Sequence, residues 1–203
     1  MEIRFRDTRA EQIKSDLLVI PVREKKLEEP HLRALNRLLK GNLRARIDKS
    51  KFTGAEGSAL LYPSAGVLRA AQLLLLGLGG GEISSETWRK VAARAHKEAR
   101  ATGAEELAIL FSPDKDAEAI AAAIVEGALL AAYQFSKYRS NSKSAPEIRS
   151  ITLFRPGLSR TTALQKSADA AQVIVSGVSL ARDLVNEPPS VATARFLGEQ
   201  RSE

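Results

Sequence analysis

Gln72-Leu73-Leu74-Leu75-Leu76-Gly77-Leu78-Gly79-Gly80-Gly81-Glu82-Ile83-Ser84-Ser85 passes from an aliphatic run through a cluster of glycines to a pair of serines. A short apolar run that ends in glycine reads as a buried strand, here 72–78. Ser84 or Ser85 offers a side-chain oxygen to cap the helix that follows. Trp88, Val91, Ala92 and Ala95 fall on one face of that helix, and Gly103 supplies its stop. Residues 106–111 then return as a strand. Strand, helix and strand in succession form the repeating unit of an α/β layered domain.

Upstream, residues 59–62 read as a strand separated from 72–78 by Pro63-Ser64-Ala65-Gly66, whose proline and glycine favour a turn, so the two strands form a hairpin. Residues 2–5 and 17–22 are further strands, the second buried on both faces. Pro30 opens a short helix with Leu32, Leu35, Leu38 and Leu39 along one side, closed by Gly41. Downstream, residues 116–138 form an alanine-rich helix in which Ile120, Ile124, Ala128, Ala131 and Phe135 recur at helical spacing. A polar loop, 140–146, leads to a strand at 151–154 and a helix from about 167 to 185. The links after Phe5 and Tyr62 hold no obvious helix, which argues for a mixed sheet, covered by helices, over a purely parallel one.

With 203 residues the chain has the length of one domain, or of one domain and the start of another. It has no cysteine, which removes disulfides, thiolate nucleophiles and Cys-ligated zinc and fits a reducing compartment. Its first residues, Met1-Glu2-Ile3-Arg4-Phe5-Arg6-Asp7, carry charges where a signal peptide needs apolar sequence. The longest apolar stretches, 70–76 and 119–133, are too short or are broken by Gln72 and Glu126, so no membrane span is expected. Lysine and arginine exceed aspartate and glutamate by 31 to 24, for a net charge of +7. Spread through the chain, that excess reads as solvated surface; gathered on one face, it would attract polyanions.

The glycine cluster sits where backbone amides could cradle a phosphate, between a strand and a helix. The third glycine of a dinucleotide fingerprint would fall at Glu82, however, and no Gly-Lys-Ser/Thr is present, so the cluster reads as a turn. His31 and His96 stand beside charged neighbours on expected helices and read as solvated residues, neither ligand nor general base. Glu86 with Arg89 and Lys90, and Glu98 with Arg94, have the spacing of helix-stabilising pairs. Asp114 and Asp116 suit a helix start through the dipole. Tyr133, Phe135 and Tyr138 read as core aromatics. No catalytic, cofactor-binding or metal-ligating residue is assigned.

Two further segments carry a resemblance. Ala181-Arg182-Asp183-Leu184-Val185-Asn186-Glu187-Pro188-Pro189 ends a helix in two prolines that force extended chain, punctuation that suits a domain boundary. Glu126-Gly127-Ala128-Leu129-Leu130-Ala131-Ala132-Tyr133-Gln134-Phe135-Ser136-Lys137-Tyr138-Arg139 ends a helix in aromatic and basic residues. Both resemble the amino-terminal domain of the leucyl aminopeptidase, or cytosol aminopeptidase, family. The chain departs from the family's pattern at Ser190 and Thr193-Ala194.

The resemblance implies a macro-domain-like α/β fold with a mixed sheet, followed by a linker helix. It divides the chain into an amino-terminal non-catalytic domain at 1–166, a linker helix and proline junction at 167–189, and the first part of a catalytic domain at 190–203, expected to fray. It implies a cytoplasmic peptidase that removes amino-terminal residues from peptides with two divalent metals, zinc or manganese, bound outside this segment. The expected partners are the catalytic domain and the other subunits of a homo-hexamer. Alternatives are a DNA-binding module using the basic surface and a macro-like nucleotide or ADP-ribose site near the glycine cluster.

Overall fold

The computed structural model describes residues 1–113, 115–138, 147–194 and 196. Six strands form one sheet in the order β1-β6-β5-β2-β4-β3. They are β1 Glu2–Asp7, β2 Ser15–Arg23, β3 Ala59–Pro63, β4 Ala70–Gly79, β5 Glu106–Leu110 and β6 Ser150–Arg155. Five helices accompany them: α1 Pro30–Leu38, α2 Asn42–Ser50, α3 Ser85–Thr102, α4 Ala117–Ala132 and α5 Thr161–Asn186.

The sheet is mixed, as the links suggested. The β3–β4 hairpin is antiparallel and every other neighbouring pair is parallel. The link after β1 behaves differently from the expectation. β1 lies at the far edge beside β6, with Ile3 opposite Ile151, and it runs parallel to β6. Residues 8–14 cross the sheet without a helix and bury Ala10 and Ile13 against it.

Because strand side chains alternate, each strand feeds two cores. Leu17, Val19, Leu74, Leu76, Leu107, Ile109, Ile151 and Leu153 face the layer of α3, α4 and α5. Leu18, Ile20, Leu73, Leu75, Ala108, Leu110 and Phe154 face α1, α2 and the 8–14 link. β2, with all of Leu17 to Ile20 fully buried, is the middle of this three-layer packing.

Three elements differ from the sequence reading. Helix α2 was not expected. Only Leu43 and Ile47 are buried on it, too thin an apolar stripe to stand out from its charged surroundings. Asn36 of α1 secures its start by accepting a hydrogen bond from the Arg44 amide at 2.9 Å. Helix α4 ends at Ala132, not Tyr138, because Tyr133 turns to extended backbone with ψ of 128°. Helix α5 begins at Thr161, not Ser167, because Leu164 shares the buried face of Ala168, Ala171 and Val175.

The expected loop at 140–146 and Asp114 lie outside the described residues, as does most of 190–203. No described helix is long and apolar enough to cross a membrane.

Candidate functional site at the end of α5

The segment 133–138, which leaves α4, lies against the last turn of α5. The two stretches that carry the family resemblance therefore meet in space. The Tyr133 hydroxyl donates to Asp183 Oδ1 at 2.9 Å and accepts from Asn186 Nδ2 at 3.2 Å. Asn186 Nδ2 also donates to the Arg182 carbonyl at 2.8 Å, and the Arg182 guanidinium sits 5.2 Å from the centre of the Tyr133 ring. One residue further on, Lys137 Nζ donates to Glu187 Oε1 at 2.6 Å and the Tyr138 hydroxyl donates to Glu187 Oε2.

The Glu187 side chain is only 5% exposed, whereas that of Lys137 is 53% exposed. A buried carboxylate persists when its oxygens are paired, and here each oxygen has a donor. Lys137 foremost, then Tyr138, hold the Glu187 carboxyl below its ordinary titration range. The same partnership raises the Lys137 ammonium and the Tyr138 hydroxyl. Burial raises the Tyr133 hydroxyl. The network fixes how α5 ends, immediately before Pro188-Pro189 turns the chain, with the Val191 and Ala192 amides donating to the Pro188 carbonyl. The aromatics expected in the core instead form this clamp: Phe135 packs 5.8 Å from the Tyr138 ring, and Tyr138 is exposed.

The glycine cluster has a structural explanation. Gly77 lies inside β4, and a Cβ there would sit 1.9 Å from the Ala55 carbonyl oxygen. The Gly77 amide donates to the Ser58 carbonyl, and the Gly79 amide to that of Gly54. The cluster thus docks the 54–58 loop onto the sheet. A Cβ on Gly80 would face the Glu24 carboxylate at 3.0 Å. Ser84, the cap of α3, already accepts from the Thr87 amide at 3.3 Å. At the carboxyl ends of the strands a cleft of about 350 Å³ is lined by Arg23, Glu82, Ser84, Lys115 and Asp116, among others. Its two carboxylates, with Glu24 beside the glycines, suit a pyrophosphate poorly.

The histidines depart from the expectation. His96 is 4% exposed, on the packed face of α3, and its Nδ1 has no hydrogen-bond partner among the described residues. Burial first, and Arg100 second, lower its titration range. His31 is half-buried on α1, also lowered by burial, with Glu11 acting in the opposite sense. The phase of Trp88, Ala92, His96 and Ala99 along α3 would have revealed the burial of His96. Among the described residues, no three His, Asp or Glu side chains gather as a metal ligand set, so these residues do not fit a two-metal centre.

A three-layer α/β domain whose last helix is tied down at its far end is the class of protein these features define. The model of the cytosol aminopeptidase family, N-terminal domain, matches residues 19–142. The chain belongs to the cytosol aminopeptidase family, matching its amino-terminal domain. It is 31% identical over 201 residues to a probable cytosol aminopeptidase of Alkaliphilus metalliredigens, covering 95% of this chain and 40% of that protein. It is 29% identical to the cytosol aminopeptidase of Pseudomonas aeruginosa, over 98% of this chain and 41% of that one. Among solved structures, a tomato leucine aminopeptidase mutant matches all of this chain and 41% of its own at 25% identity, with a TM-score of 0.85. The bottromycin maturation enzyme BotP shares the fold, with a TM-score of 0.67 and 22% identity over 92% of this chain and 36% of that one. The chain thus spans about two fifths of the length of the relatives it matches.

Proposed function

We propose that this chain is the accessory and assembly domain of a cytoplasmic, metal-dependent leucyl aminopeptidase. In this reading residues 1–166 are the non-catalytic domain, 167–189 the linker helix and proline junction, and 190–203 the first part of the catalytic domain. The two divalent metals, zinc or manganese, and the peptide chemistry then belong to that catalytic domain. The observation that carries the reading is α5 itself. The clamp at 133–138 fixes its end, while Val173, Ile174, Val178 and Val185 on its outer side remain exposed, Val185 at 85%. An apolar face on a rigid helix is suited to burial against another domain or subunit, here the catalytic domain and the other subunits of a homo-hexamer. A macro-domain-like description of the fold goes with the same reading.

The test is hydrolysis of leucine p-nitroanilide by the 203-residue chain with added zinc or manganese. No turnover is expected, and activity that co-purifies with the chain would refute the reading. In the full-length gene product, Ile174→Asp with Val178→Asp should lower the oligomeric state measured by light scattering.

One observation favours a second reading, DNA binding. Residues 30–51 hold seven cations, Arg33, Arg37, Lys40, Arg44, Arg46, Lys49 and Lys51, and a single carboxylate, Asp48. All seven cations are exposed on α1, α2 and their connections. Such a patch would give duplex affinity whose logarithm falls linearly with the logarithm of salt concentration and that weakens in Arg46→Glu/Lys49→Glu. Fluorescence anisotropy showing no binding at low salt would remove this reading.

A further inference from the structure

A groove of about 670 Å³ runs beside α3 where the end of α4 passes it. Its floor is Ala93, Ala101 and Ala131, small residues that leave the space open. Its rim is cationic and contains no carboxylate side chain. Arg94 is neutralised by Glu98 at 2.6 Å. Lys97 and Arg100 pair with no carboxylate among the described residues, and the polar neighbour of Arg100 is the uncharged amide of Gln134. Against the same groove lies His96, almost wholly buried, with Nδ1 unpartnered. Two cations with no carboxylate partner among the described residues stand above an apolar floor beside a buried imidazole, and leave this part of the surface electrostatically unbalanced.

We propose that the groove between α3 and the end of α4 binds a small organic anion, a carboxylate or phosphate monoester, with its charged head between Lys97 and Arg100 and its apolar body on the alanine floor. The two cations supply charge-assisted hydrogen bonds to the head. The anion also offsets the positive field of Arg100 at His96, so binding makes protonation of that imidazole easier. The site meets the 133–138 segment only at Gln134, uses none of the residues that bind α5, and does not depend on the peptidase reading.

Phenyl phosphate is a suitable probe, with inorganic phosphate as the head alone and sodium chloride at matched ionic strength as the control. The chain has two histidines, so ring resonances in a proton–nitrogen correlation spectrum report on His96 with His31 as an internal reference. The expected result is a saturable shift of the His96 ring with phenyl phosphate and a weaker response to inorganic phosphate. The His96 titration midpoint should move upward in the complex. Lys97→Ala/Arg100→Ala, with Lys97 exposed and Arg100 half-buried on a helix that tolerates alanine, should lose at least tenfold in affinity while retaining the wild-type spectrum elsewhere. No saturable shift would overturn the proposal, as would an equal response of His31, a match by chloride or full binding by the double variant.

Discussion

A Cβ atom on Gly127 would lie 2.1 Å from the Arg89 carbonyl oxygen, so α4 crosses α3 at a point where only hydrogen fits. The Arg89 side chain spans the same crossing, donating to Glu126 through Nη2 at 2.7 Å and Nε at 3.0 Å, and to Glu86 at 2.5 Å. Backbone contact and ion pair thus hold the two helices at one register.

Gly127→Ala is expected to destabilise the domain by about 3 kcal/mol, the upper part of the range for overpacking, because both partners at the clash are backbone. Gly177→Ala, on the exposed side of α5 with nothing within 4 Å of a Cβ, should instead stabilise it by about 0.5–1 kcal/mol. Urea midpoints of the two variants, shifted in opposite directions, would check both.

Ser84→Ala removes the oxygen that accepts from the Thr87 amide at the start of α3. Loss of such a cap costs about 1 kcal/mol, visible as a lower urea midpoint with an unchanged slope.

Glu187→Gln should loosen the end of α5 without unfolding the sheet. Hydrogen exchange at the amides of 183–187 is expected to quicken while those of β2 and β4 keep their protection. The pH sense follows from the lowered Glu187 carboxyl. Its contribution is complete above the ordinary value of 4.5 and is lost as pH falls through the lower folded value. The clamp should therefore remain closed in mildly acidic buffer and open only in stronger acid.

His96 works in the same direction at higher pH. Its folded form resists protonation, so the unfolded chain takes up a proton first. Stability is complete above the ordinary value of 6.5 and declines as pH drops towards the lower folded value. Arg100 on its own helix adds to the cost of that charge; Arg94, paired with Glu98, and Lys97 line the same groove, and α4 and the segment after it bring the neutral Ala131 and Gln134. His96→Leu should flatten this decline between pH 7.5 and 5.5, leaving the part that His31 contributes. Equal slopes for variant and parent would refute the assignment.

Where apolar side chains were dense, sequence and structure agree. The runs at 17–22, 72–78 and 106–111 are central strands or their immediate continuations, and Trp88 to Ala95 mark the inner face of α3. Where an element rests on few contacts, periodicity had little to register: α2 is anchored by Leu43 and Ile47 alone. In the sequence the clamp is visible only as two separate segments. Nothing local to Tyr133 or Lys137 announces that Asp183 and Glu187 are their partners, because long-range pairs leave no spacing in a sequence. The charged neighbours of His96 in the chain point to solvent, whereas its phase on the helix decides its surroundings.

The placement of β1 sets an order of events during synthesis. Ile3 leaves the ribosome well before its ladder partner Ile151, which emerges only after α4 has been made. Strand β1 must wait beside a sheet that is growing without it, and the last seat at that edge is filled when two strands far apart in the sequence come together. Loop-closure entropy places that joining late, so the edge formed by β1 and β6 governs when the domain becomes whole.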